Sequence, residues 1–122
     1  MKYVNLIFAV MMLLFAAVQY NDPDAPVWIT IYLVPAVWTG LAALRPEALR
    51  ATVPFALLGL SVLAAIALSV YYWPATPGFW RSEVWMETET AREGMGMMLA
   101  TLAVGLAFVT VGVRVLDRGL RR

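Results

Sequence analysis

The chain alternates long apolar runs with polar breaks. Four runs stand out, from about Tyr3 to Tyr20, from Pro26 to Leu44, from Thr52 to Trp73 and from about Gly94 to Leu116. Each approaches the roughly 20 residues that an α-helix needs to cross about 30 Å of hydrocarbon. None alternates with period 2, as a membrane barrel strand must when successive side chains face lipid and lumen in turn. Backbone groups in oil must bond within their own segment, so the runs predict helices. Short connections make neighbouring helices antiparallel. The expectation is a single-domain, all-α integral membrane protein over residues 1–122, a four-helix up-down-up-down transmembrane bundle. Lys2 followed by an apolar core from Leu6 to Val18 also resembles a signal peptide. No A-x-A site precedes the break at Gln19, so the first run is expected to remain as a span.

Composition sharpens this picture. Of 122 residues 62% are hydrophobic and 14% charged, against about a quarter charged in a soluble domain, and the mean hydropathy is +0.77. The chain has neither Cys nor His, which excludes thiol nucleophiles, imidazole bases, the usual zinc sites and His-ligated haem. A formal charge of +1 with no basic cluster argues against a nucleic-acid partner.

The charges are segregated by side. Lys2, Arg45, Arg50, Arg114, Arg118, Arg121 and Arg122 lie at one set of ends and loops, and only Arg81 and Arg92 at the other. Positive loop residues are retained in the cytoplasm, so both termini are expected there, in a bacterial inner membrane or its equivalent. Asp22, Asp24, Glu83, Glu87, Glu89 and Glu93 then face outward, and Glu47 and Asp117 inward. Aromatics near the outer boundary, Tyr20, Trp28, Tyr71 to Trp73, Phe79, Trp80 and Trp85, read as interfacial anchors.

Small residues at spacing four mark helix contacts, because close backbone approach drives association in lipid. They are Ser61, Ala65 and Ser69 on the third run, Gly96 and Ala100 on the fourth, and Ala36 and Gly40 on the second. Pro35 is expected to bend the second helix so that it packs.

Two outer stretches carry the candidate chemistry. In "QYNDPD", Asn21 suits a left-handed helix end, Asp22 or Asp24 a helix cap, and Pro23 or Pro26 a first helical turn. The same aspartates supply the hard oxygens a cation takes. In "SEVWMETETAREGMGMM", Glu89, Arg92 and Glu93 share one helix face, Thr90 with Glu93 reads as a capping box, and Ser82 reads as the cap of an interfacial helix with Trp85 and Met86 toward lipid. In a closed four-helix ring the first and fourth spans are neighbours. That places Asn21, Asp22, Asp24, Glu89, Arg92 and Glu93 around one outward pocket, with Asp22, Asp24, Glu89 and Glu93 as candidate metal ligands and Arg92 as counter-charge. Met95, Met97 and Met98, with Met11 and Met12, read as core packing rather than a copper site.

The pattern of "QYNDPD", then Trp28 and Tyr32, then a last span entered through "ETETAREGMG", resembles the transmembrane protein 220 family. The resemblance implies a small four-span membrane protein of unestablished activity and supplies no catalytic residues. The first functional expectation is a non-enzymatic accessory or interaction subunit with an acidic outer face, in contact with the bilayer and in a homo-oligomer or larger membrane complex. Its support is the near absence of ionisable groups within the spans, where transporters place them. The second is binding or transport of a cation or small ligand at the outer pocket. The third is a lipid-modifying enzyme built on paired carboxylates and a metal. No cofactor is expected.

Overall fold

A computed structural model describes residues 1–121, and Arg122, counted above among the cytoplasmic charges, lies outside the described residues. Among the described residues there are helices and no strand: α1 (Lys2–Ala17), α2 (Ala25–Leu44), a 3₁₀ turn (Pro46–Arg50), α3 (Thr52–Tyr71), the one-turn α4 (Ser82–Trp85) and α5 (Glu89–Leu120). Three of these, α2, α3 and α5, are long and apolar enough to cross a membrane.

Two boundaries depart from the sequence expectation. Helix α1 has 16 residues, about 24 Å at 1.5 Å per residue, short of the about 30 Å of hydrocarbon. It stops at Ala17 because the backbone turns. Gln19 N donates to Ala16 O at 3.2 Å and Asp22 N to Gln19 O at 2.9 Å. Helix α5 is longer than its apolar run, with 32 residues or about 48 Å. Its first turn, Glu89 to Glu93, therefore projects beyond the apolar stretch that begins at Gly94.

Helix direction follows from the contacts. Asn5 at the start of α1 bonds Thr110 late in α5, while Phe15 and Leu99 share a cavity nearer the other end, so α1 runs against α5. Helix α3 also runs against it, since Ser69 meets Thr101 and Phe55 stacks on Phe108 with centroids 5.2 Å apart. Helix α2 runs with α5, because Tyr32 lies on Gly96 and residues further along α2 line a cavity with Met97 to Val104.

The expected closed ring is not what forms. Helices α2 and α5, which a ring would hold on its diagonal, pack directly on each other, with α1 against α2 and α3 against α5. The reason is the absence of bulk on the α5 face. Gly96, Ala100, Ala103 and Ala107 are buried there, and small residues let backbones approach. A groove separates α2 from α3, lined by Leu33, Val37, Leu57 and Leu60, and bridged by Trp38 Nε1 donating to Ser61 Oγ at 3.0 Å.

The contact residues read from spacing largely take that role. Ser61 accepts from Trp38, Ala65 O accepts from Thr101 Oγ1 at 3.2 Å, Ser69 Oγ and Thr101 Oγ1 lie 2.6 Å apart, and Ala36 and Ala100 are buried. Gly40 differs, since no atom stands within 4 Å of where its side chain would be. Large aliphatic side chains point away from the core, among them Ile7, Leu14, Leu60, Leu63, Leu102 and Leu116. Alanine inside and leucine outside is the inverse of a soluble bundle, and it suits a solvent as apolar as the core.

Candidate functional site

The site begins in the turn between α1 and α2. Asp24 N donates to Asp22 Oδ1 at 2.8 Å, an Asx-turn in which the aspartate side chain takes the place of a backbone acceptor. Ala25 N donates to Asp22 O at 3.0 Å, and Val27 N to Asp24 O at 3.0 Å, which starts α2 with Pro26 in its first turn. Asp24 thus stands at the N-cap position, but its side chain makes no cap bond. Asn21 is not left-handed, since no described residue other than a glycine has positive φ. The chain leaves α1 through right-handed Val18 instead, so no residue has to bear the left-handed conformation.

The opposite wall is the first turn of α5. The capping box does not form: α5 begins at Glu89 with Thr88 before it, and no side chain caps it. Glu93 stands one turn after Glu89 on the same helix. Its carboxyl is pushed above the ordinary 4.5, first by loss of hydration, then by the charge of Glu89 and a hydrogen bond with it, and further by Asp22 and Asp24. The turn and the helix therefore bring Asp22, Asp24 and Glu89 within electrostatic reach of Glu93. Among the described residues, however, no three of them converge as a group able to hold a metal ion.

Arg92 is placed differently from the expectation. Its Nη1 donates to Trp85 O at 3.0 Å and to Met86 O at 2.6 Å. Carbonyls at a helix C-terminus have no partner within the helix, and a guanidinium satisfies them well. Arg92 thus ties α4 to α5, and the one ion pair among the described residues is Arg121 with Asp117. The interfacial helix does begin at Ser82, but Arg81 occupies the cap position and no side chain caps it. Met86 is exposed. Trp85 instead folds inward and lines a cavity with Phe15 and Tyr32.

Below the carboxylates lies an aromatic floor. Trp28 and Tyr32, one turn apart on α2, are both buried, and Trp28 also meets Tyr72 at 5.0 Å between centroids. Tyr32 packs edge-on to Phe15 at 5.5 Å, within electrostatic reach of Glu93 and Asp22. Two glycines of α5 make this possible. A side chain at Gly96 would overlap the Tyr32 hydroxyl, and one at Gly94 would stand 2.6 Å from Pro74 Cδ. Sequence reasoning placed Trp28 at the interface but not Tyr32 in the site. The available signal was the i, i+4 spacing of the two rings, which puts them on one face.

Beside the floor, between the end of α1, α4 and α5, is a cavity of about 380 Å³. Phe15, Val18, Met95 and Leu99 make it apolar, and Gln19, Arg92 and Tyr32 are its polar side chains. Met12 and Met97 are fully buried and belong to the core, as expected of packing methionines.

Residues 11–109 match the family described as "Transmembrane family 220, helix". The chain is also similar to "Transmembrane protein 220" of Xenopus laevis, at 33% identity over 84 residues, covering 69% of this chain and 45% of that protein. It therefore spans less than half the length of this curated relative. No solved structure matches it.

Proposed function

Starting from a chain that belongs to transmembrane family 220, and so to a family of membrane proteins, we propose that it is a non-enzymatic accessory or interaction subunit whose acidic outer mouth receives a cationic segment of a membrane partner. In this reading α1 joins α2, α3 and α5 as a fourth span, and both termini face the cytoplasm of a bacterial inner membrane or its equivalent. Support for that orientation is the segregation of Lys2, Arg45, Arg50 and the basic end of α5 from the acidic turns.

The observation that carries the partner reading is that Glu93 feels Glu89, Asp22 and Asp24 at once while the nearest arginine is turned onto the carbonyls of Trp85 and Met86. Like charges crowded on one rim repel, and basic side chains of a partner relieve that repulsion while steering its approach. The absence of Cys and His, and the bonding of the Thr39, Ser61, Thr101 and Thr110 hydroxyls to backbone carbonyls of their own helices, support a role without catalysis. The partner is a second copy or another subunit.

The test is assembly size in native nanodiscs. The protein is expected in a complex larger than a monomer, and the combined Asp22→Asn, Asp24→Asn, Glu89→Gln and Glu93→Gln variant is expected to run as a folded monomer. A strictly monomeric wild type, or a variant that stays assembled, overturns the reading. Cation binding at the same mouth is the competing reading. With no three carboxylates convergent among the described residues, millimolar Ca²⁺, Mg²⁺ or Mn²⁺ is expected to leave the melting temperature unchanged, because only binding to the folded state stabilises by mass action. A rise that Asp24→Asn or Glu89→Gln removes would reinstate it.

A further inference from the structure

We propose that the cavity between the end of α1, α4 and α5 is a binding site for a zwitterionic aminophospholipid of the outer leaflet, with its phosphate at Arg92 and the Tyr32 hydroxyl, its ammonium at the neighbouring carboxylates and the start of an acyl chain on Phe15, Met95 and Leu99. This goes beyond the partner reading and rests only on the outward orientation given there, since a lipid can occupy the cavity in an isolated protomer.

Three observations converge. The first is the hydroxyl of Tyr32. The residue is only 5% exposed and lines the cavity, yet among the described residues its Oη has no hydrogen-bond partner. Tyrosine hydroxyls on buried rings normally find a hydrogen-bond partner. Nor is the Oη among the polar atoms sealed from solvent without a partner, which are Asn5 Oδ1 and Arg50 Nε. It therefore opens to the cavity as a donor awaiting an acceptor.

The second is the make-up of the walls. At about 380 Å³ the cavity falls within the roughly 300–1,000 Å³ typical of ligand sites, which are mostly apolar with a few placed polar groups. It lies at the depth where the apolar run of α5 gives way to its charged first turn, so the occupant must be apolar at one end and polar at the other. A phospholipid is.

The third is charge. Arg92 donates to two carbonyls through Nη1 and keeps its other guanidinium N–H groups for an oxyanion. Arg92 thus calls for an anion, while Glu93 and Asp22, within electrostatic reach of Tyr32, and Glu89, one turn before Arg92 on its helix, call for a cation. A headgroup carrying a phosphate and an ammonium a few ångströms apart satisfies both, with the ammonium donating to the carboxylates.

The experiment is thermal unfolding of the purified protein in detergent micelles, titrated with dioleoyl phosphatidylethanolamine, dioleoyl phosphatidylglycerol, dioleoylglycerol or water-soluble phosphoethanolamine. Phosphatidylethanolamine is expected to raise the midpoint in a saturable way and the other three to raise it little. Tyr32→Phe keeps the ring packing and is expected to weaken the lipid effect about three- to tenfold, the share of one hydrogen bond. Leu99→Trp fills the cavity and is expected to abolish it, and Met95→Trp serves the same purpose should Leu99→Trp not fold. Equal stabilisation by the phosphatidylethanolamine and phosphatidylglycerol lipids, equal stabilisation by phosphoethanolamine, or a phosphatidylethanolamine effect undiminished in a folded cavity-filled variant overturns the proposal.

Discussion

The hydroxyl end of Tyr32 lies against the backbone of Gly96, so closely that a methyl group there would overlap it. This contact joins α2 to α5 beneath the acidic mouth, and it fixes what each position can be. Gly96→Ala is expected to destabilise by about 1–3 kcal/mol, the range for overpacking a closed contact. Gly105→Ala, on the same helix with nothing within 4 Å of the new methyl, is expected to be neutral or to stabilise by up to about 1 kcal/mol. Unfolding in a mixed-micelle denaturant series measures both, and equal effects would show that Gly96 is not packed as described.

At the other end of the molecule, Asn5 is fully buried and its Nδ2 donates to Thr110 Oγ1 at 2.9 Å. Hydrogen bonds between membrane helices are modest, averaging about 0.6 and reaching about 1.7 kcal/mol. A double-mutant cycle with Asn5→Ala and Thr110→Val is expected to give a coupling in that range. Additive losses would mean that the two helices do not meet there.

Glu93 makes stability depend on pH. It precedes Gly94, where the apolar run begins, and its folded carboxyl is raised above 4.5, chiefly by lost hydration and next by Glu89. Above pH 4.5 the folded chain holds this proton where the unfolded chain has released it. Stability must therefore fall as pH rises through the folded value. Glu93→Gln is expected to flatten that slope and to leave the acid side below pH 4.5 unaltered. Parallel melting-temperature profiles for the two proteins between pH 4 and 8 would rule out Glu93 as the source.

Because the sequence has no cysteine, single-cysteine variants report topology without background. Asp24→Cys and Glu87→Cys are expected to react with an impermeant maleimide added outside intact cells. Arg45→Cys and Arg118→Cys are expected to react only after permeabilisation. The reverse pattern would invert the molecule and move the acidic mouth into the cytoplasm.

Much of this architecture is legible along the chain. Apolar runs at Pro26 to Leu44 and Thr52 to Trp73 reappear as α2 and α3 within a few residues, because a backbone in hydrocarbon has few alternatives to a helix. Spacing by four picked out Ala36, Ala65 and Ala100, all buried. Helix ends were less legible. Residues with several local options chose among them by tertiary context: Asp22 formed an Asx-turn, Asp24 took the cap position without a cap bond, and Thr90 with Glu93 left the capping box unmade.

Hydropathy and residue size alone determined that this chain makes apolar helices with alanine and glycine at their contacts, since both follow from the solvent and from steric approach. Which helices pair was decided only in three dimensions. The bare α5 face drew α2 across what a ring would make a diagonal, and that placed Tyr32 under Glu93 and opened a cavity beside Arg92. Nothing in the order of residues fixes a side chain's partner sixty positions away. Arg92 shows the limit best: its position on a shared face with two glutamates suggested a counter-charge, and the unpaired carbonyls that end α4 offered it a geometry that the linear pattern does not contain.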